Sequence, residues 1–462
     1  MRERGASELV RGLSLWPATA TVVGVVIGSA IFLVGSEVAR DARSAALAIA
    51  AWILGGLLSL CGALCLAELG AAMPTAGGMY AYLSRGLGPA WGFLYGWSSS
   101  TIIETAANAA VAAGFLRLLR FLVPAVGTTL FFLHSPGLFE SKGYEFAFTA
   151  AQPLAAGVII LTTAISYLSV RSGGHIQLLT SLLKMGAIAA LVVLGFASRK
   201  SYFANLLPSS MPLAAGSAGA FLTALVPVMW AYTGWHLLAP VGEEVENPSR
   251  NIPRALVGGM LAVIGLYVMA NCVYITVLAF PGVVQSSYVA SDVFEKLVGL
   301  GSAKWMTVAM MISVLSSLHA GILTSARIPF AMARDGLFFT FAKRLHSTFR
   351  SPSGGLVFMG GISVLLVLSG TYDELFSLFI FAQWIFLSLS VVALFRSRRI
   401  EREFPRPFST WGYPWTPIVF LASGLAMTVN LWLNQPVRSS IGLGVILLGL
   451  PFYFHWRKKL PG

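Results

Sequence analysis

The sequence contains few charged residues and few cysteines. Asp, Glu, Lys and Arg make up 11% of its 462 residues, whereas hydrophobic residues make up 56%. Soluble domains carry charge at about a quarter of their positions, so this composition excludes an ordinary soluble protein. Three cysteines cannot build a disulfide framework. Cys61 and Cys65 share a helix face, but neither a His nor a third Cys lies near them in the sequence, and we interpret both as packing residues.

Several functional classes lack the residues that they need. The apolar segments contain no converging acid, base, nucleophile and metal ligands, which disfavours a membrane enzyme, and we expect no cofactor. They contain no ring of charges and no filter-like segment, which disfavours an ion channel. The net charge of +13 is not accompanied by any motif for nucleic acid, so we expect no nucleic-acid partner.

Long apolar runs recur along the whole chain, and each run can cross roughly 30 Å of hydrocarbon. We predict an all-α membrane protein with a single domain, residues 1–462, embedded in membrane lipid. The first run is interpreted as a span rather than as a cleaved signal. The twelve predicted spans, numbered in chain order, are residues 17–35, 46–70, 90–119, 152–170, 174–198, 219–242, 255–280, 303–326, 354–370, 372–396, 414–433 and 438–456.

Lys and Arg are unevenly distributed among the predicted loops. With a cytoplasmic N-terminus, the inner segments hold roughly twice as many of these residues as the outer segments, in agreement with the positive-inside rule. We therefore predict a multi-pass protein of the plasma (inner) membrane with both termini in the cytoplasm. The inner link 71–90 is expected to form a short structure of its own. The basic link 397–413 is expected to be solvated and to face lipid.

Spans 1 and 6 are each interrupted by small residues, at 28–30 and at 231–234. Lipid cannot satisfy the backbone groups that such a break exposes, so they must face a partner or a water-filled cavity. Paired breaks in the two halves of a chain point to the substrate site of a transporter. The predicted substrate-binding residues belong to the two breaks and their neighbours: Ile27, Gly28, Ser29, Ala30, Trp230, Ala231, Tyr232, Thr233 and Gly234.

The two breaks suit opposite ends of a small zwitterion. Free amides at the first break, together with the positive end of the following half-helix, would bind a carboxylate. Carbonyls at the second break would bind an ammonium, and Trp230 would act as a gate whose ring face contacts the cation. Close helix packing is the alternative interpretation of the first break, because Gly24 and Gly28 form a GxxxG motif.

Two ionisable residues lie in the middle of predicted spans. Lys184 in span 5 is too deep to reach water easily, so we expect it to contact freed carbonyls or an acid. It acts either as a fixed cation or as a group that exchanges protons. Glu104 in span 3 is a protonated acid bonded across helices, a proton carrier, or a counter-charge for a cationic substrate.

The remaining candidates have structural interpretations. His236 and His319 are interpreted as core histidines, and Arg327 as an anchor at the cytoplasmic end of span 8. Three carboxylates after span 6 are expected to form a solvated cluster: Glu243, Glu244 and Glu246.

Six segments resemble the amino acid–polyamine–organocation superfamily, and within it the L-type amino acid transporter family. They are residues 27–32, 67–70, 74–82, 230–235, 243–255 and 324–327. The resemblance implies a 5+5 inverted repeat (LeuT-like) with spans 1 and 6 unwound around the substrate. The first repeat would be residues 17–198 and the second residues 219–396, with two extra helices in residues 414–456.

The resemblance also assigns roles to residues of this chain. It implies that Trp230 is the aromatic gate, and that amides at 28–30 and carbonyls near 230–233 bind the carboxylate and the amine. Lys184 matches a lysine that replaces the second sodium site, which implies sodium-independent transport.

The chain departs from the family pattern at several positions. Ala30 and Thr233 stand where glycines are common, and Trp230 stands where many L-type members carry Phe. The arginine–agmatine antiporter branch carries a Glu where this chain has His236, although Glu104 could restore a preference for cations. Residues 121–151 contain no Cys, so we expect no disulfide-linked heavy subunit.

These observations predict a sodium-independent secondary transporter that exchanges neutral L-amino acids. In the predicted mechanism, spans 1, 2, 6 and 7 rock against spans 3, 4, 8 and 9. A proton-coupled or cationic amino acid or polyamine carrier is the alternative within transport. A non-transporting amino acid sensor or a membrane enzyme is the alternative from another class.

Overall fold

The computed structural model describes residues 9, 11–135, 144–168, 170–206, 217–369, 372–400, 403 and 405–459, and most of them are helical. The α-helices are Leu15–Val26, Ala30–Leu33, Gly35–Ala42, Ala45–Ala72, Met79–Leu87, Pro89–Ser98, Glu104–Leu122, Ala151–Tyr167, Val170–Ala197, Ser217–Ala231, Pro248–Gln285, Val289–Val298, Ala303–Ser325, Arg327–Arg334, Ser353–Ser369, Tyr372–Ile400, Trp415–Asn434 and Pro436–Arg457. The 3-10 helices are Pro124–Gly127, Phe203–Leu206, Trp235–Glu244 and Thr340–Lys343, and Ser99–Ile103 is a π-helix.

The protein is an integral multi-pass membrane protein. Ten helical segments in the described part of the chain are long and apolar enough to cross a bilayer. Predicted spans 4 and 9 are also apolar helices, Ala151–Tyr167 and Ser353–Ser369, but each has only 17 residues. Helices suit this environment because each one satisfies its own backbone hydrogen bonds without water.

Several links contain ordered elements. The link after span 2 contains the short helix Met79–Leu87. The link between spans 3 and 4 contains an antiparallel pair of strands, Thr129–Ser135 and Tyr144–Thr149. The sequence analysis did not predict this hairpin.

Hydrogen bonds join span 1 to spans 6 and 7. Just before the helix of span 1, the amide of Leu13 donates to the carbonyl of Glu244 at 3.0 Å, and the carbonyl of Leu13 accepts from the amide of Glu246 at 2.9 Å. The hydroxyl of Tyr267 in span 7 donates to the carbonyl of Val26 at 2.9 Å. Span 1 is therefore held at its start by the end of span 6 and at its break by span 7.

The link after span 10 is docked against span 2, which corrects the expectation that it is solvated throughout. Arg398 donates through Nε to Oε1 of Glu68 at 2.7 Å, and the amide and hydroxyl of Thr410 each donate to Oε2 at 2.7 Å. Glu68 is 1% exposed. The Arg398 guanidinium also stacks on the ring of Tyr413. A buried carboxylate needs such partners, so the link closes around it.

Candidate functional site

The helix of span 1 is interrupted at the first break. The helix Leu15–Val26 ends at Ile27, whose ψ of 77° is not helical, and helical structure resumes at Ala30. The amide of Gly28 donates to the carbonyl of Val26 at 2.8 Å. In the described part of the chain, the amides of the next three residues have no hydrogen-bond acceptor: Ser29, Ala30 and Ile31. The free donors thus lie one residue later than the sequence analysis placed them.

The two glycines of the GxxxG motif have different surroundings. A Cβ on Gly24 would lie 1.8 Å from Nε2 of Gln177, so Gly24 allows close approach of span 5. A Cβ on Gly28 would have Ser317 as its nearest neighbour at 3.8 Å, which is ordinary contact. Close packing therefore explains Gly24 but does not explain Gly28.

The second break contacts the first. The helix Ser217–Ala231 is followed by a turn, and Gly234 in that turn has a φ of 122°, which an L side chain rarely adopts. A Cβ at Gly234 would lie 2.8 Å from Cγ1 of Val25 and 3.3 Å from its carbonyl carbon. The backbone of span 6 therefore touches span 1 beside its break, and both conformation and space require glycine.

The second break exposes backbone acceptors. Within the described residues, no donor bonds the carbonyls of Tyr232 and Thr233. The carbonyl of Trp230 accepts from the amide of Thr233 at 2.9 Å, and the Thr233 hydroxyl donates to the carbonyl of Met229 at 2.7 Å. The hydroxyl of Thr233, a predicted substrate-binding residue, is thus already bonded within the helix.

The aromatic residues of the second break have different partners. The Trp230 ring lies 4.8 Å from that of Phe379 in span 10, centroid to centroid. The Tyr232 ring packs between spans 2 and 7, with centroids 5.8 Å from Trp52 and 5.1 Å from Tyr267. The Trp230 side chain therefore lies between spans 6 and 10, whereas the Tyr232 side chain belongs to an aromatic cluster of spans 2, 6 and 7.

Lys184 is bound by oxygen atoms of the first break and of span 8. Its Nζ donates to the carbonyls of Gly24 and Ile27 at 2.8 and 3.0 Å, and to the Ser317 hydroxyl at 2.8 Å. The Lys184 side chain is 3% exposed. The ammonium contacts freed carbonyls rather than an acid, and it links span 5 to both neighbours.

Glu104 and His236 form a buried pair between spans 3 and 6. Oε1 of Glu104 lies 2.9 Å from Nε2 of His236, and both side chains are buried. Glu104 directly follows the π-helix Ser99–Ile103, and π-helical turns are frequent at functional sites because they shift the face that a helix presents. The sequence analysis identified both residues but did not predict that they meet.

Several buried polar groups of span 3 have no hydrogen-bond partner among the described residues. Around the π-helix these are the hydroxyls of Ser98, Ser100 and Thr105 and the side-chain nitrogen of Asn108. The Ser29 hydroxyl at the first break is also buried without a hydrogen-bond partner among the described residues. Buried polar groups in native proteins are normally bonded to protein, water or ligand. The sequence analysis missed the span 3 groups, because small hydroxyl residues are common in packed membrane helices.

The end of span 6 that follows the second break is held by ion pairs, so the expectation of a solvated carboxylate cluster was wrong for Glu244. Arg327 donates to both carboxylate oxygens of Glu244, at 2.7 and 3.0 Å, and both side chains are buried. Glu243 pairs with Arg334 at 3.2 Å in a more exposed position. Buried charges need such pairing, so Arg327 ties the end of span 6 to span 8.

The helix Met79–Leu87 in the link after span 2 contributes a further contact at this end. The Tyr80 hydroxyl donates to Oδ2 of Asp335 at 2.8 Å. Burial and the adjacent carboxylate of Asp335 raise the pKa of Tyr80, so its hydroxyl keeps its proton and remains a donor. Among the described residues, no group of three His, Cys, Asp or Glu side chains could hold a metal ion.

Comparisons with known proteins agree with the resemblance found in the sequence. A family model described as amino acid permease matches residues 13–452. The serine/threonine exchanger SteT of Bacillus subtilis (strain 168) is 28% identical, over 98% of each chain. The b(0,+)-type amino acid transporter 1 of Mus musculus is 26% identical, over 98% of this chain and 89% of the relative. The large neutral amino acids transporter small subunit 2 of Mus musculus is 29% identical, over 98% and 83%.

Proposed function

Because the chain belongs to the amino acid permease family and is an amino acid transporter rather than an enzyme, we propose that it exchanges neutral L-amino acids independently of sodium. The observation that carries this proposal is the meeting of the two breaks, one with free amides and the other with free carbonyls. Exchange is further supported by one relative, whose name describes a serine/threonine exchanger.

The backbone of the breaks can bind the part that all amino acids share. Three adjacent free amides, at Ser29, Ala30 and Ile31, can donate to a carboxylate, and the start of the following helical turn favours negative charge. The free carbonyls of span 6 can accept from an ammonium. Because these groups do not depend on the substrate side chain, selectivity would be set by neighbours such as the unpartnered hydroxyls of span 3.

Lys184 supports sodium independence. Its ammonium lies among two carbonyls of span 1 and a hydroxyl of span 8, which is the kind of oxygen environment that a small cation requires. The Lys184 ammonium, bound by these three oxygens, supplies the positive charge at this position. A sodium ion is then not needed to hold the first break against span 8.

Alternating access is supported by the distribution of contacts. Spans 1, 6 and 7 contact one another through backbone groups and through the Tyr267 hydroxyl. Polar side chains tie spans 1 and 6 to spans 3, 5 and 8 through the contacts of Lys184 with the Ile27 carbonyl, of Glu104 with His236 and of Arg327 with Glu244. Side-chain contacts can exchange partners as a group of helices rotates, so we propose rocking of spans 1, 2, 6 and 7, gated by Trp230. The 5+5 inverted repeat and the twelve-span count belong to the same proposal.

The proposed setting is the plasma (inner) membrane with both termini in the cytoplasm. The distribution of Lys and Arg along the sequence supports this orientation. We propose that no heavy subunit is attached by a disulfide in the link between spans 3 and 4, because residues 121–151 contain no Cys.

Uptake into proteoliposomes tests the proposed function. Radiolabelled serine or alanine should enter vesicles preloaded with unlabelled amino acid, equally well with sodium or choline as the external cation. Vesicles without preloading and vesicles without protein are the controls. Uptake that requires sodium would contradict the proposal, and tight binding without uptake into any vesicle would identify a sensor instead.

A proton-coupled carrier is the second candidate, and the Glu104–His236 contact favours it. A carboxylate and an imidazole at 2.9 Å can hold one proton between two spans that move relative to each other. If protons drive transport, Glu104→Gln and His236→Gln should each abolish the effect of an inward proton gradient on uptake into empty vesicles. Glu246→Gln, at an exposed position, is the control.

The same variants separate three roles of the pair. Loss of proton dependence supports coupling, and loss of lysine or arginine uptake alone supports recognition of a cationic side chain. Unchanged uptake of every substrate in both variants would contradict both roles and leave a purely structural hydrogen bond.

A further inference from the structure

A groove on the surface of the helix bundle, formed by spans 1, 5 and 7, is separate from the two breaks. It consists of two adjoining cavities, an apolar one of about 320 Å³ and a more polar one of about 430 Å³. Both cavities are lined by Arg254 and Gly258 of span 7. The two cavities therefore adjoin at these residues, and we refer to them together as a groove with an apolar part and a polar part.

The polar part contains two arginines that have no side-chain partner among the described residues. Arg250 and Arg254 lie one helical turn apart near the start of the helix Pro248–Gln285, and both side chains are exposed. Neither forms an ion pair or a side-chain hydrogen bond with any described residue. Both line the cavity, and the start of a long helix adds partial positive charge. Guanidinium groups in this arrangement match the oxygens of a phosphate.

The apolar part has the character of an acyl-chain site. Its walls come from three spans and include Leu15, Val23, Leu178, Leu182, Met185 and Ala262. Trp16, which is 70% exposed, lines this part, and Trp411, which is 58% exposed, lines the polar part. Exposed tryptophans of this kind sit at the level of lipid headgroups. A free phosphate ion would use the arginines but not the apolar walls.

We propose that this groove binds one anionic glycerophospholipid. Its phosphate contacts Arg250 and Arg254, and an acyl chain lies along the apolar walls between spans 1, 5 and 7. Leaflets rich in anionic lipid attract clustered Lys and Arg at the membrane surface, and the groove adds a fitted position for one such lipid. The site is independent of the substrate, because it uses none of the groups at the breaks.

Gly258 marks the junction of the two parts. A Cβ at this position would meet no other atom within 4 Å, so a larger side chain fits without disturbing the fold and fills the groove. Gly258→Leu should therefore displace the lipid sterically, whereas Arg250→Gln with Arg254→Gln should remove the attraction for its phosphate. The two variants act on the same site by unrelated means.

Native mass spectrometry of the purified full chain tests the proposal. The protein is titrated with phosphatidylglycerol and with phosphatidylcholine of the same acyl chains. We expect phosphatidylglycerol to bind about tenfold more tightly, and the double arginine variant to lose this preference. Gly258→Leu should weaken the binding of both lipids. Lys458→Gln with Lys459→Gln, at exposed positions near the C-terminus, and Gly444→Leu, where a Cβ also meets nothing within 4 Å, are the matched controls.

Three outcomes would overturn the proposal. Equal affinity for the two lipids would remove the role of the arginines. An equal loss of binding in the lysine control would show that overall charge, not this groove, attracts the lipid. Displacement of phosphatidylglycerol by millimolar inorganic phosphate would reduce the site to an anion site without a role for the acyl chain.

Discussion

Lys184→Met should lower amino acid uptake by about tenfold or more. Hydrogen bonds to a charged donor contribute roughly 1.5–3 kcal/mol each, and Lys184 makes three of them, two to the first break and one to span 8. Methionine keeps the length of the side chain but offers no donor. The carbonyls of Gly24 and Ile27 then lose the cation that holds them, so the free amides that follow lose their position.

The measurement is initial uptake into proteoliposomes, with substrate binding measured separately on the purified protein. Lys458→Met is the control, because Lys458 is exposed and lies far along the chain from the breaks. A Lys184→Met protein with normal uptake would show that the ammonium is not needed at the first break. Normal binding with lost uptake would assign Lys184 to the rocking motion instead of the binding site.

Arg327→Met and Glu244→Met should each destabilise the protein strongly, whereas the double variant should recover most of the loss. Removing one member of a buried ion pair leaves an unpaired charge and costs about 3–5 kcal/mol. Replacing both members with apolar side chains is often close to neutral. The side chains of Arg327 and Glu244 are 3% and 9% exposed. The pair is therefore buried, and a single substitution should cost more stability than the double substitution.

Thermal unfolding of the four proteins, followed by size-exclusion chromatography after heating, measures the cycle. The pair Arg334–Glu243 provides the matched control, since its side chains are 40% and 23% exposed and exposed pairs contribute about 1 kcal/mol or less. Equal losses in both cycles would contradict the buried character of the Arg327–Glu244 pair. Recovered stability without recovered uptake would show that the pair also serves transport.

The sequence contained enough information to predict the breaks. Small residues within apolar runs indicate where a membrane helix cannot continue unchanged, because lipid offers no hydrogen bonds. The family resemblance and the membrane class followed from the same segments, and the comparisons confirm both. The expectation that Lys184 needs oxygen partners also came from burial alone, since an isolated ammonium in hydrocarbon is unfavourable.

Other features depended on contacts between distant segments. Glu104 directly follows a π-helix and meets His236 of span 6, and no pattern in the sequence predicts either the π-helix or the contact. We expected Glu244 to be solvated because three carboxylates are close together in the sequence. In the structure Glu244 ends the 3-10 helix Trp235–Glu244 and pairs with Arg327. The sequence also did not predict which amides of the first break are free. The Gly28 amide is bonded to Val26 and the Ile31 amide is free, because the local turn decides which amides lose their acceptors.

The docking of Glu68 against Arg398 has a consequence for how the protein is made. The two residues are 330 positions apart in the chain. At about 5–20 residues per second, the ribosome needs roughly 15 to 65 s to synthesise Arg398 after Glu68. During that interval span 2 lacks the partner that its carboxylate has in the finished protein. A chain whose synthesis stops before residue 398 keeps that unpaired carboxylate at the end of span 2 for as long as it exists.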